Sequence, residues 1–316
     1  MATHPDLTDD SLLASARGGD SRALETLLAR YQPRVYRFGM RLCGHPEDAR
    51  DVLQETMVAL VRSLDRYQGT ASLSSYLFAI ARSFCGKYRR KSKFAPQLDE
   101  SLDALLAEQP ALLPATRVGP EDEAVHRELA AALDSAIAKL EPKYREVLVL
   151  RDVEGVSAQE VGDILKLSVQ AVKSRLHRAR LSLRETMAPF LETAVPAGGR
   201  QHVEPSAVRQ DAAGGSMRGC PDVPLMFSRF LEGDIDAPTC DRLMRHLDDC
   251  PACRGACESL KGVLAMCQAA RAPEVPEDVQ RAVQIAIADF LAAGRSPPGP
   301  GGTRSKRARA SRASAT

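Results

Sequence analysis

Ser157-Ala-Gln-Glu-Val-Gly-Asp-Ile-Leu-Lys-Leu-Ser-Val-Gln-Ala-Val-Lys-Ser-Arg-Leu-His-Arg-Ala-Arg180 holds two helices and almost nothing between them. Ser157 and Glu160 form a capping box, hydroxyl and carboxylate closing one helix start reciprocally. That helix ends near Lys166-Leu167-Ser168, and another begins at once. This is the helix-turn-helix arrangement, whose second helix enters the major groove of DNA. Lys166, Lys173, Arg175, His177, Arg178 and Arg180 follow one another without an acid between them. Ser168, Val169, Gln170 and Ala171, with Lys173 just beyond, would meet base edges; the later arginines would meet phosphate. Taken alone, these residues also suit a solvated basic face on an ordinary bundle helix.

A second basic cluster lies upstream. Arg82, Lys87, Arg89, Arg90, Lys91 and Lys93 crowd together without an acid, interleaved with Tyr76, Phe78, Phe84 and Tyr88. Cations hold a phosphate backbone and aromatic faces stack on unpaired bases, which suits single-stranded or melted DNA. Phe78 and Phe84 also read as plain core residues, but that leaves the charge run beside them unexplained.

Helical spacing runs through nearly every other periodic stretch, with no convincing strand pair, so the expected class is all-α. Leu12, Leu13 and Ala16, then Leu24, Leu27 and Leu28, predict two short helices broken at Gly18-Gly19. A longer helix from Pro46 to Leu64 sets Ala49, Val52, Leu53, Thr56, Leu60 and Leu64 on one face and Asp48, Asp51, Gln54 and Glu55 on the other. A segment from Leu73 to about Lys93 follows. The expected units are 10–96, an acidic Pro-punctuated linker 97–125, a helical unit 126–192, a flexible linker 193–218, a Cys-rich helical unit 219–292 and a disordered basic tail 293–316.

The chain has 316 residues, with 43 Lys and Arg against 41 Asp and Glu, a net +2 that excludes a uniformly basic nucleic-acid coat. Aromatics are few: eight Phe, six Tyr and no Trp, of which nine fall between residues 31 and 94. The start, Met1-Ala-Thr-His-Pro-Asp6, is not a secretory signal, and no run approaches the ~18 apolar residues of a membrane span. The expected location is therefore cytoplasmic, away from membranes. Thiols stay reduced there, and a cysteine cluster binds metal rather than forming disulfides.

Residues 10–192 resemble the extracytoplasmic-function (ECF) sigma factors. The resemblance rests on Tyr31-Gln-Pro-Arg-Val-Tyr36, Pro46-Glu-Asp-Ala-Arg-Asp-Val-Leu-Gln-Glu55, Tyr76-Leu-Phe-Ala-Ile-Ala-Arg82, Leu148-Val-Leu-Arg-Asp-Val-Glu-Gly155 and Val172-Lys-Ser-Arg-Leu-His-Arg-Ala-Arg180. It implies a region-two domain over 10–96 and a region-four domain over 126–192. Asp48, Asp51, Gln54 and Glu55 would dock on the clamp helices of core RNA polymerase. Tyr76, Arg82, Lys87, Tyr88, Arg89 and Arg90 would open and read the −10 promoter element by capturing an unstacked base. Ser168, Gln170, Lys173, Ser174, Arg175 and Arg178 would contact the −35 element, and the acidic linker would thread through the polymerase near its RNA exit path. Ser83 stands where the family usually has Asn, and Lys166 where a turn Gly is frequent.

Six of the eight cysteines lie between 220 and 267. Cys220-x25-His246-x3-Cys250-x2-Cys253 offers three thiolates and an imidazole, a set that suits tetrahedral zinc. His246, Cys250 and Cys253 converge if the helix continues or turns at Pro251, with Cys220 closing the site from before the first helix. Cys257, one turn on, could join or replace a ligand; Cys240 and Cys267 read as small buried hydrophobes. This unit resembles the zinc-binding anti-sigma domain, here fused to the sigma module as in metal-responsive sigma factors of the CorE type. The resemblance implies Zn2+, Cd2+ or copper as ligand, and the C-terminal domain as an intramolecular regulator. The stripe Val279, Val283, Ile287, Phe290, Leu291 is a candidate latch onto another surface, or packs within its own domain.

Two alternatives stay open. The zinc is structural and the thiols form a redox switch, or the chain is a polymerase-independent helix-turn-helix repressor, which leaves residues 46–93 without a task. An enzyme is not expected: there is no Gly-rich phosphate loop and no nucleophile motif, and His4, His45, His126 and His202 are scattered.

Overall fold

A computed structural model describes residues 7–92, 120–194, 220–269 and 274–293. Most of the acidic linker, most of the second linker and the basic tail lie outside the described residues. The described residues are helical, with no strand among them, as periodicity predicts.

The first domain comprises α1 (Asp9–Arg17), α2 (Ser21–Cys43), α3 (Pro46–Ser63) and α4 (Leu73–Ser92). Thr8 and Asp20 cap α1 and α2 by accepting from backbone amides of the first turn. The second helix is not short, as the sequence reading had it. It runs 23 residues through Pro33, because Leu27, Tyr31, Val35, Phe38 and Leu42 keep one buried stripe that outweighs the lost backbone bond.

The second domain comprises α5 (Pro120–Lys139), α6 (Pro142–Leu148), a π-helical turn (Val149–Val153), α7 (Ala158–Leu165) and α8 (Val169–Ala194). Helix α5 starts at Pro120, inside the stretch expected to be linker. The capping box of Ser157 and Glu160 is present. Two residues make the turn after α7 tight. A Cβ at Gly162 would lie 2.8 Å from the Leu167 carbonyl oxygen, so only glycine lets the chain fold back there. Lys166 then closes α7 at φ 58, ψ 48, a left-handed conformation that costs a side-chain-bearing residue about 1 kcal/mol. Lys166→Gly should therefore raise the stability of this domain by about 1 kcal/mol in denaturant melts.

The two domains dock through buried charge. Arg37 grips Glu154 with two bonds of 2.7 and 2.8 Å, Arg34 donates to the Glu154 backbone carbonyl at 3.0 Å, and Arg41 pairs with Asp134 at 2.8 Å.

The third unit comprises α9 (Val223–Leu231), α10 (Ala237–Asp249), α11 (Pro251–Ala269) and α12 (Glu277–Ala292). Val223, Phe227, Leu243, Leu247, Cys253, Cys257, Leu260 and Leu264 form its own small core. The far end of α11 (Val263, Cys267) and all of the buried stripe of α12 (Val279, Val283, Ile287) join the large core of the first two domains instead. Helix α11 lies on α8, and α12 lies along α3.

Two cysteine readings need correction. Cys240 is half-buried rather than core, because it sits in the exposed, Asp236-capped first turn of α10, where only Leu243 and Leu247 face inward. Cys43 and Cys85 are not free thiols: the end of α2 meets the buried face of α4, and the pair is joined as a disulfide.

Candidate metal centre and nucleic-acid interface

Cys220 precedes α9, whose start is fixed by Asp222 accepting from the Leu225 amide. His246 lies in the last turn of α10. Cys250 is the break itself, extended at φ −120, ψ 98, with its amide bonded to the His246 carbonyl at 2.9 Å. Cys253 lies in the first turn of α11. The four ligand atoms all lie within 4.8 Å of one another. Zinc–ligand bonds of about 2.0–2.3 Å fit inside such a cage. His246 Nε2 is buried without a hydrogen-bond partner, as an atom waiting for a cation would be.

The thiols are unequal. Hydrogen bonds from the Cys253 backbone and side chain lower the pKa of Cys250. Burial, with Cys250 and Cys220 alongside, pushes Cys253 up to about 12, so it ionises only against a cation. Cys257 does not belong to the group. It is 3% exposed within the small core, and burial raises its pKa. One helical turn beyond Cys253 carries it into apolar packing.

On α8, Ser168 caps the helix by accepting from the Ala171 amide at 3.2 Å. Ser168, Gln170, Ser174 and Arg178 are exposed; Lys173 and Arg175 are half-buried. Lys173 is engaged by Asp234 at 2.5 Å, on the loop after α9. Arg180 departs from the phosphate-facing role expected of it. It is 2% exposed, bound to Asp152 at 2.7 Å, to Glu232 at 3.1 Å and to Ser228 at 2.9 Å. Glu232 also pairs with Arg151 at 3.2 Å. Glu232 and Asp234, after α9, therefore answer cations of α8, a role the sequence reading missed although the charge signal was there.

On α3, Asp51 is exposed and Asp48, Gln54 and Glu55 are half-buried. Tyr88 of α4 lies by this face: burial, then Asp51, Glu55 and Asp48, raise its pKa. Tyr76 is half-buried, its ring 5.1 Å from Tyr67; Lys87 is exposed; Arg82 pairs with Glu146 at 3.1 Å. Arg89 and Arg90 belong to α4, but their side chains lie outside the described residues. Phe78 is core, 5.1 Å from Phe38, while Phe84 is half-buried. Helix α12 lies along α3 with Asp278 3.5 Å from Arg50 and Phe290 beneath Arg62 at 5.0 Å.

The starts of α7 and α4 also touch each other. Glu160 accepts from Ser72 at 2.6 Å and Ser75 at 2.8 Å, at the start of α4. Burial pushes the Glu160 carboxyl up, but the hydroxyls of Ser72, Ser157 and Ser75 outweigh it and bring it to about 2. A carboxylate held below its ordinary 4.5 stabilises the contact fully above that pH and loses the contribution as pH falls toward about 2. Amide protection at the start of α4, corrected for the intrinsic exchange rate, should therefore fall across that window, and Glu160→Gln should abolish that fall.

The sequence matches the family described as "Sigma-70 region 2" over residues 27–94, "Sigma-70, region 4" over 130–183 and "Putative zinc-finger" over 225–254. The ECF RNA polymerase sigma factor SigE of Mycolicibacterium smegmatis is 34% identical over 175 residues, 54% of this chain and 65% of the relative. The ECF RNA polymerase sigma factor SigW of Bacillus subtilis is 31% identical over 180 residues, 55% of this chain and 94% of the relative. A solved complex of the sigma factor RpoE with the anti-sigma factor NepR from Bartonella quintana superposes at a TM-score of 0.39 and 23% identity, over 52% of this chain and 96% of that one.

Proposed function

Because the chain belongs to the ECF RNA polymerase sigma factor family, we propose that it directs core polymerase to promoters and is silenced by its own C-terminal unit while that unit holds a thiophilic metal. One observation carries the reading: α12 lies along α3, the helix with the polymerase-docking face, through Asp278 on Arg50 and Phe290 on Arg62. Asp234 on Lys173 covers the DNA-reading helix in the same way. Asp48, Asp51, Gln54 and Glu55 are the polymerase-contacting set. Tyr76, Arg82, Lys87, Tyr88, Arg89 and Arg90 serve the −10 element, and the exposed start of α8 serves the −35 element.

Cys220, His246, Cys250 and Cys253 would hold the metal, and three thiolates favour zinc, cadmium or cuprous ion. The four ligands are gathered in the closed arrangement, so occupancy favours closure. Loss of the ion, or its replacement by one that displaces His246 or Cys220, favours opening. The work is cytoplasmic, where core polymerase is. No helix among the described residues is long and apolar enough to cross a membrane. A polymerase-independent repressor would leave the region-two helices without a task.

Run-off transcription with purified core polymerase on a selected promoter tests this, comparing the full chain with a truncation after residue 195. Zinc, cadmium and both copper oxidation states would be titrated. The truncation should transcribe whatever the metal, and the full chain only when its ion is removed or replaced. Equal transcription by both at every metal level would sink the regulation; no transcription by either on any selected promoter would sink the sigma function itself.

A further inference from the structure

Two cysteines stand apart from the Cys-rich unit. Cys43 ends α2 and Cys85 lies on the inner face of α4, 8% and 0% exposed, joined across 42 residues with Cα atoms 5.3 Å apart. That spacing lies within the usual range for a disulfide, so neither helix need move for the bond to form. Glutathione and thioredoxin keep thiols reduced in the compartment where polymerase works, and a disulfide there is usually transient or sensing.

We propose that Cys43 and Cys85 are an oxidant-responsive pair inside the region-two domain, a redox modification site separate from the Cys-rich unit, which peroxide closes and small thiols reopen. The choice of compartment and the consequence for promoter opening rest on the sigma reading; the thiol chemistry does not. Cys43 is the less enclosed of the two, at a helix end where Gly44 turns the chain at φ 82, so it meets the oxidant first. Its thiolate attacks one peroxide oxygen and the O–O bond breaks. Cys43 becomes a sulfenic acid, and the hydroxide released takes up a proton to leave as water. The Cys85 sulfur, giving up its proton, then attacks the Cys43 sulfur; the S–S bond forms, and the sulfenic hydroxyl leaves with that proton as a second water. The two sulfurs together lose two electrons and the peroxide gains them. Thiol exchange reverses the step.

The bond acts on the helix that serves promoter opening. Lys87 and Tyr88 lie two and three residues beyond Cys85 on α4, and the Phe38–Phe78 contact joins the same two helices. Oxidation ties α4 to α2 and restricts the unfolded chain between them, so region two becomes harder to unfold.

Thiol trapping on the full chain tests this without polymerase or promoter, so its outcome is independent of the sigma function. The reduced protein is exposed to graded hydrogen peroxide, quenched in acid, alkylated and digested for mass spectrometry. Cys43 and Cys85 should lose alkylation together over one range of peroxide and regain it with dithiothreitol. In Cys43→Ser, Cys85 should form no intramolecular disulfide at any dose. The oxidised wild type should melt higher by on the order of 10 °C, a rise absent from Cys43→Ala/Cys85→Ala. Full alkylation of both residues at doses that consume the metal-site thiols would overturn the proposal. So would a bond already complete in protein acid-trapped from unstressed cells and resistant to dithiothreitol in the folded chain. Should either variant fold poorly, trapping on the wild type still decides.

Discussion

Chelating the metal from the full chain should unfold α9, α10 and the first half of α11 while the sigma helices stay folded. The eight residues of the small core, from Val223 to Leu264, are too few to hold about fifty residues together without a cross-link or an ion. A structural zinc of this ligand type contributes about 10 kcal/mol or more to folding near neutral pH. Without it, Cys253 returns to a neutral thiol and His246 Nε2 stays buried with no partner. Hydrogen exchange should therefore show protection lost over 220–262 and kept in α2, α3 and α6 to α8. Cys253→Ser should do the same in the presence of zinc, and both should raise run-off transcription toward the level of the truncated chain. Protection that persists through chelation would mean the cage is incidental to the fold of this unit.

Reversing the charge of Glu232 should open the closed form almost as effectively. Its carboxylate is 4% exposed and answers two guanidinium groups at once, Arg180 at 3.1 Å and Arg151 at 3.2 Å. Glu232→Arg would set a third cation against them in a buried place, and breaking such a pair costs about 3–5 kcal/mol. At 1.4 kcal/mol per decade, affinity for −35 DNA measured by anisotropy should rise between about 100- and 4000-fold. Asp234→Lys acts at the more exposed Lys173 pair, where about 1 kcal/mol or less is at stake, so its effect should stay under about tenfold. Equal effects from the two substitutions, or none from Glu232→Arg, would show that α9 does not hold α8.

Most helices, the capping box, the tight turn near Lys166 and the convergence of Cys220, His246, Cys250 and Cys253 were legible in the sequence, but not the full length of α2 or the start of α5. Each depends on residues within one or two turns of one another, or on a spacing with few readings. What stayed hidden depends on partners far along the chain. Arg180 looks like another phosphate contact in a run of cations, because the groups that bury it, Asp152 and Glu232, stand 28 and 52 residues away. The stripe of α12 announces that it wants cover, but periodicity cannot say that α3 supplies it rather than the metal-binding unit. Glu154 reads as a loop acid until Arg37 arrives from 117 residues upstream. Cys43 and Cys85 carry no spacing signature, since only the packing of α2 on α4 brings them together.

Helix α11 is seated on α8 and α12 on α3, with only residues 270–276 between them. A covering unit attached at two places on its own chain behaves as a bivalent ligand. When one arm lets go, the other keeps it at a local concentration in the millimolar range, and recapture outpaces escape. On the proposed reading, closure would be independent of how many copies a cell makes. Every molecule would carry its own silencer at a fixed one-to-one dose, so dilution at division or a burst of synthesis would leave the fraction closed unchanged.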